Sequence, residues 1–278
     1  MMETLNILIP TDFSEVSSLA IEMAQVLERK IPIQIHMLHV MQVNDSDSDY
    51  LEGRSDAVLE SKKLEALNKF EALKSRGAKF EAHIRVGKLT DQINLATAEL
   101  GADLVLMGTK GSDGFMEMIS GSEAQHVARY LQVPVLTIRP GTPMLDLKNI
   151  LLVADFEQFG KGIQIETIKK LAKAFDSTIH LLQILTEGEE KYADEIEAQM
   201  KFFAEEHQLE KYETHLYRDR KVTDGVRNFN REAEMDLVCI RTNARKGINH
   251  LLFGSIAERL VNHCIKPLLT FQIKKQHA

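Results

Sequence analysis

The sequence predicts an α/β protein of two tandem doubly wound domains, each a five-stranded parallel sheet with helices on both faces. Three observations carry that reading. Short apolar runs alternate with stretches of helical periodicity, the pattern that parallel strands joined by right-handed crossover helices require. The chain then starts over: Asn149-Ile150-Leu151-Leu152-Val153-Ala154-Asp155-Phe156 repeats Asn6-Ile7-Leu8-Ile9-Pro10-Thr11-Asp12-Phe13. Between the copies, Arg139-Pro140-Gly141-Thr142-Pro143 is punctuated as a linker. The domains are therefore residues 1–140 and 148–278, with 141–147 between them.

In the first copy, Leu5 to Ile9 reads as a strand stopped at Pro10, and Ser14 is placed to cap a helix running to about Arg29. Glu15 suits the positive end of that helix. Ile33 to Met41 is a second apolar strand. An acidic loop follows, in which Asp45, Asp47 and Asp49 alternate with serines; it reads as solvated, because no rigid oxygen cage is evident. Residues 55–76 are helical, with Leu64, Leu67, Phe70 and Leu73 as the apolar stripe and Gly77 as the stop. Lys79 to Val86 is a strand closed by Gly87. A helix opens at Thr90-Asp91 and ends at Gly101. Asp103 to Thr109 and Val133 to Ile138 complete five strands.

The second copy repeats the landmarks in order. Ile179-His180-Leu181-Leu182 matches Ile35-His36-Met37-Leu38, and Asp236-Leu237-Val238 matches Asp103-Leu104-Val105. Gly254-Ser255 matches Gly121-Ser122, and Lys266-Pro267-Leu268 matches Val133-Pro134-Val135. The lost residues fall where the acidic loop sits in the first copy, so this is an internal duplication with a shortened loop.

Composition narrows the function. The 278 residues are 44% hydrophobic and 27% charged, as in a globular protein with a proper core. No apolar run reaches membrane-spanning length and the N-terminus lacks a signal peptide's features, so a cytoplasmic protein without membrane partners is expected. Cys239 and Cys264 are too few for a metal knuckle or disulfide framework. Residues 1–140 hold 14 Lys/Arg against 20 Asp/Glu, and residues 141–278 hold 20 against 21. With no basic stripe, nothing points to nucleic acid.

The stretch from Val105 to Ser122 carries the chemistry. An apolar strand leads into Gly108, Gly111 and Gly121-Ser122 at the spacing G-x2-G-x9-G-S, just ahead of a helical pattern. Glycines let backbone N–H groups approach an anion, and a helix start aims its unpaired N–H groups and dipole at the same place. The loop is neither Walker A nor the dinucleotide fingerprint G-x-G-x-x-G. In the second copy Arg241 replaces Gly108 and Ala244 replaces Gly111, while Gly254-Ser255 survives. A pure fold requirement is expected to keep the glycines in both copies, so their presence in one favours a ligand there.

At these residues the sequence resembles the universal stress protein family, whose ATP-binding members carry the G-x2-G-x9-G-S/T spacing. The likeness extends to Ile9-Pro10-Thr11-Asp12-Phe13-Ser14, Leu38-His39-Val40 and Val133-Pro134-Val135-Leu136, and covers the chain as two copies. It implies a Rossmann-like fold of the adenine nucleotide alpha hydrolase type, with ATP and Mg²⁺ or Mn²⁺ in domain 1. By that resemblance Asp12 and the backbone around Val40 meet the base, and His39 and Gly87 flank it. Gly108 admits the ribose, where Arg241 in domain 2 obstructs it. Gly111, Gly121 and Ser122 hold the phosphates, Thr109 and Lys110 are secondary candidates, and Pro10, Thr11, Met107 and Glu123 complete the set.

Other residues divide between ligand and structure. Asp12 serves equally as a base contact or a cap, since Asp155 persists where the glycines do not. His36 recurs as His180 and reads as core; His39 faces the other side of its strand, so the two do not make a metal pair. The implied function is an ATP-binding stress-response regulatory protein with domain 2 as a pseudo-dimer partner, paired through Val135–Ile138 and 268–273, and with further homodimerisation open. Alternatives are an interaction scaffold with a vestigial loop, or a slow ATPase for which no general base or arginine finger can be assigned. An ATP-dependent ligase of related fold calls for an early Ser-Gly-Gly-x-Asp-Ser loop, and Pro10-Thr11-Asp12-Phe13-Ser14 is not one.

Overall fold

The computed structural model describes residues 3–41, 55–109, 127, 131, 133–142, 146–156, 165–241 and 266–271. The first half contains β1 (Leu5–Pro10), α1 (Glu15–Glu28), β2 (Ile33–Met41), α2 (Ser55–Ser75), β3 (Glu81–Val86), α3 (Leu89–Glu99), β4 (Leu104–Gly108) and β5 (Val135–Ile138). The second contains β6 (Asn149–Val153), α4 (Glu166–Phe175), β7 (Thr178–Leu185), α5 (Ala193–Glu206), β8 (Tyr212–Arg218), α6 (Val222–Ala233), β9 (Leu237–Arg241) and β10 (Leu268–Phe271). Ser14 caps α1 as its position suggests, its hydroxyl accepting the Ser17 N–H at 3.2 Å. No described helix is long and apolar enough to cross a membrane.

The two five-stranded sheets expected are one continuous sheet, joined through the last strands of the two copies. All ten strands are hydrogen-bonded in the order β3-β2-β1-β4-β5-β10-β9-β6-β7-β8. Within each half every pairing is parallel; the halves meet where β5 runs antiparallel to β10, with Leu269 opposite Leu136. Both of these leucines are fully buried. The Thr137 hydroxyl donates to the Leu268 carbonyl at 3.2 Å and the Thr270 hydroxyl to the Val135 carbonyl at 3.3 Å, a reciprocal pair across the join. The physical reason for the merger is the edge: a last strand buried on both faces cannot leave its ladder groups unpaired. One apolar cluster accordingly runs from Leu5 and Leu136 through Leu269 to Leu171 and Phe203. A fragment ending at residue 140 exposes β5, and is expected to self-associate in light scattering; a monomer at high concentration contradicts that expectation.

Helix α2 corrects the stripe read from the sequence. Ala66 and Phe70 are buried, whereas Leu64 and Leu67 are 60% and 43% exposed. Steps of three residues fall about 60° short of a full turn each, so a 64-67-70-73 row winds off the buried face, while the i, i+4 pair stays on it.

Candidate functional site

Strand order places the candidate edge. Going outward from β1, the chain runs one way to β2 and β3 and the other way to β4 and β5. At such a switch point open α/β sheets bind their ligands, beyond the strands' carboxyl ends. Pro10, Thr11 and Asp12 lie at the end of β1, His39 and Val40 near the end of β2, Gly87 just after β3, and Met107, Gly108 and Thr109 at the end of β4. Lys110, Gly111, Gly121, Ser122 and Glu123 lie outside the described residues, as do the acidic loop at 45–49, Ala244 and Gly254-Ser255.

The β1–α1 turn is tightly hydrogen-bonded. The Thr11 N–H donates to the Leu38 carbonyl at 2.8 Å, and its hydroxyl accepts the Phe13 N–H at 3.0 Å. Asp12 Oδ1 accepts the Ser14 N–H at 2.9 Å, so this carboxylate serves the turn. Burial opposes its ionisation, but hydrogen bonds from Ser14 and Ser17 hold the carboxyl below the usual carboxylate range. A depressed folded-state value means stability that is present above the unfolded value near 3.8 and lost as pH falls through the lower folded one. Asp12→Ala is expected to lose on the order of 1 kcal/mol at neutral pH and to flatten the acid limb of a urea-stability profile. An unchanged acid limb contradicts it.

Phe13 adopts φ 64°, a left-handed conformation uncommon for a bulky residue. It turns the ring onto His39, at 4.8 Å between centroids, and against the edge of Phe70 at 5.0 Å. His39 Nδ1 lies 2.8 Å from the Thr11 carbonyl oxygen. A carbonyl can only accept, so Nδ1 carries a proton and donates to it. His39 thus belongs to the edge. Gly87 has φ 139°, and its N–H donates to the Met41 carbonyl at 3.0 Å, closing the turn after β3.

Gly108 has a packing duty of its own. A Cβ there would lie 1.8 Å from the Val16 carbonyl oxygen, so α1 can cross β4 only over a glycine. The expectation that a fold requirement would appear in both copies therefore does not hold at this position, and the Gly108-to-Arg241 difference is not by itself a ligand signal. Thr109 points the other way. Its N–H donates to the Ile138 carbonyl at 2.7 Å, but its buried hydroxyl has no partner among the described residues. A cleft of about 240 Å³ lined by Ile21, Ile35, Met37 and Phe80 lies toward the opposite ends of the strands and is unrelated to this edge.

His36 is buried as expected, but it has a partner that reading each strand alone misses: His83 Nε2 is 3.2 Å from its Nδ1. Burial, with the neighbouring His36 ring, lowers the His83 pKa and favours the neutral imidazole. The overlooked signal is the repeat Glu81-Ala82-His83 and Glu213-Thr214-His215, which puts an E-x-H on the strand beside each copy's internal histidine. Cys239 is inert core, its thiol pKa pushed up by complete burial.

Two doubly wound halves that share one sheet define a tandem α/β protein. The model of the universal stress protein family matches residues 4–139 and again 146–272, so the chain belongs to that family. It is 28% identical over 137 residues to universal stress protein MJ0531 of Methanocaldococcus jannaschii, covering 48% of this chain and 81% of that protein. Universal stress protein G of Salmonella typhimurium is 29% identical over 147 residues, covering 48% of this chain and 97% of that one. The doubled fold is seen whole in a universal stress protein from Archaeoglobus fulgidus (TM-score 0.68, 19% identity, 98% of this chain and 97% of that one). It recurs in PA1789, a functionally unknown protein from Pseudomonas aeruginosa (TM-score 0.62, 17% identity, 96% and 92% covered).

Proposed function

We propose that the protein is an ATP-binding regulatory module that holds one nucleotide in domain 1 and uses domain 2 as its built-in partner across the sheet. The observation that carries this reading is the G-x2-G-x9-G-S spacing, intact in the first copy only and continuing directly from the β4 edge. The buried Thr109 hydroxyl at the start of that loop, without a partner among the described residues, supports it. Pro10, Thr11, His39, Val40 and Gly87 would line the base side, with Asp12 holding the turn; Met107 and Gly108 would face the ribose. Lys110, Gly111, Gly121, Ser122 and Glu123 would surround the phosphates. With a net charge of −7 the chain offers phosphates no general attraction, which is why Mg²⁺ or Mn²⁺ belongs in the proposal. Calorimetric titration of the full chain with ATP and Mg²⁺ is expected to give one site, lost on changes in domain 1 and kept on changes in domain 2. Two equivalent sites, or none, refute it.

The second reading, an interaction scaffold with a vestigial loop, draws support from Gly108, which packing explains without a ligand. Mass spectrometry of small molecules released from protein purified without added nucleotide separates the two readings, since only the first expects an adenine nucleotide.

A further inference from the structure

A second cluster sits away from the nucleotide edge, on the same strands. His36 precedes Val40 on β2 by four residues, about 13 Å at the usual rise per residue. It shares a sheet face with Leu38 and Val40, which pack with Ile93 and Ala96 of α3. In the parallel register Glu81 is opposite His36 and His83 is opposite Leu38, so all three side chains leave the sheet on one face. His36 Nδ1 lies 3.2 Å from His83 Nε2 and 3.4 Å from Glu81 Oε2. The second half repeats the arrangement in the same register, with Glu213 opposite His180 and His215 opposite Leu182. There His180 Nδ1 lies 3.0 Å from His215 Nε2 and 3.5 Å from Glu213 Oε2, and the third separation, His215 Nε2 to Glu213 Oε2, is 3.7 Å.

We propose that each half binds a divalent transition-metal ion of the zinc type, held by His36, Glu81 and His83 in the first and by His180, Glu213 and His215 in the second. Ligands about 2.0–2.1 Å from a tetrahedral zinc are separated by about 3.3–3.4 Å, the tetrahedron's edge. The five separations above scatter around that value. The second half also fixes a ring. His180 Nε2 lies 3.2 Å from Asn149 Oδ1, an acceptor, so Nε2 carries the proton and the Nδ1 lone pair faces the cluster. Two acceptors, that lone pair and the Glu213 carboxylate, then face each other at 3.5 Å, an arrangement that a cation between them would stabilise. Without an ion, a His215 N–H can meet that lone pair at 3.0 Å and water can meet the exposed carboxylate, so an ion would replace both. In the first half Asn6 holds the equivalent position, and its amide donates to the Gly101 carbonyl at 3.3 Å instead.

All three residues persist in both copies, although the glycine loop does not, so the cluster is independent of the nucleotide reading. Two imidazoles and one carboxylate suit zinc and its neighbours, whereas Mg²⁺ and Ca²⁺ prefer all-oxygen shells. The Glu81 and Glu213 side chains are each 60% exposed, which keeps one side of each cluster open to solvent and leaves a fourth position for water. Each ion would tie an outermost strand, β3 or β8, to its neighbour.

The test is titration of metal-free, full-length protein with Zn²⁺ against a chromophoric chelator. Two saturable equivalents per chain are expected, one for the His83→Gln or His215→Gln variant, and none for the variant carrying both. Co²⁺ in place of Zn²⁺ is expected to give the strong visible absorption of a four-coordinate ion, and Mg²⁺ to leave the titration unchanged. Glu81→Gln and Glu213→Gln alter exposed side chains and keep the rings; each should weaken its site about tenfold, so a folding defect in the histidine variants does not hide the answer. No saturable Zn²⁺ binding, or an undiminished stoichiometry in the doubly changed variant, overturns the proposal.

Discussion

Gly108→Ala is expected to cost domain 1 about 3 kcal/mol or more in urea denaturation, with or without nucleotide. The added Cβ would lie 1.8 Å from the Val16 carbonyl oxygen and 2.6 Å from its carbon. These are backbone atoms of the first turn of α1, so no rotamer change relieves the clash. The helix has to lift from β4 and uncover part of the cluster formed by Ala20, Met23, Ala24 and Leu106, all of them fully buried. A loss below about 0.5 kcal/mol, typical of an inconsequential surface change, rules out this packing account. The result also governs how ATP affinities of Gly108 variants are read, because weaker binding there follows from a displaced α1 as readily as from a blocked ribose.

Gly121→Val is expected to reduce ATP affinity by at least about 100-fold, or about 2.7 kcal/mol, while Gly254→Val in the second copy leaves it within about twofold. Both glycines lie outside the described residues, so the expectation rests on their spacing. A β-branched side chain at a helix entrance disfavours positive φ and keeps a phosphate from the backbone N–H groups. Ser122→Ala should be milder, on the order of 1 kcal/mol, because it removes one hydroxyl and leaves the N–H groups. The paired design matters, since a general folding defect would show in both glycine variants. If Gly121→Val folds normally and binds ATP like the parent protein, the glycine spacing is only a turn and the scaffold reading prevails.

Local signals carried most of the fold. The Ser14 cap, the stop at Gly77 and the apolar runs at 33–41 and 104–108 each depend on a few neighbouring residues, and each falls where its chemistry puts it. The stripe of α2 was less legible because a row of leucines three apart resembles a helix face over one turn and leaves it over three. The edge residues on β1, β2 and β4 were legible as a set, since strand ends can be read from sequence and a doubly wound sheet gathers them.

By itself the sequence determined the duplication, the α/β class, the family, and which copy keeps the glycine spacing, because these depend on residue type and order along the chain. Tertiary structure alone decided three matters that depend on distance between residues remote in sequence. It set the direction and register of the join, β5 antiparallel to β10 with Leu269 opposite Leu136, where the sequence offered only that the last strands pair. It gave Gly108 a steric reason to be glycine, since the Val16 carbonyl reaches it from another element. It brought Glu81 and His83 beside His36, and Glu213 and His215 beside His180, because neighbours across parallel strands are chosen by hydrogen-bond register and not by separation along the chain.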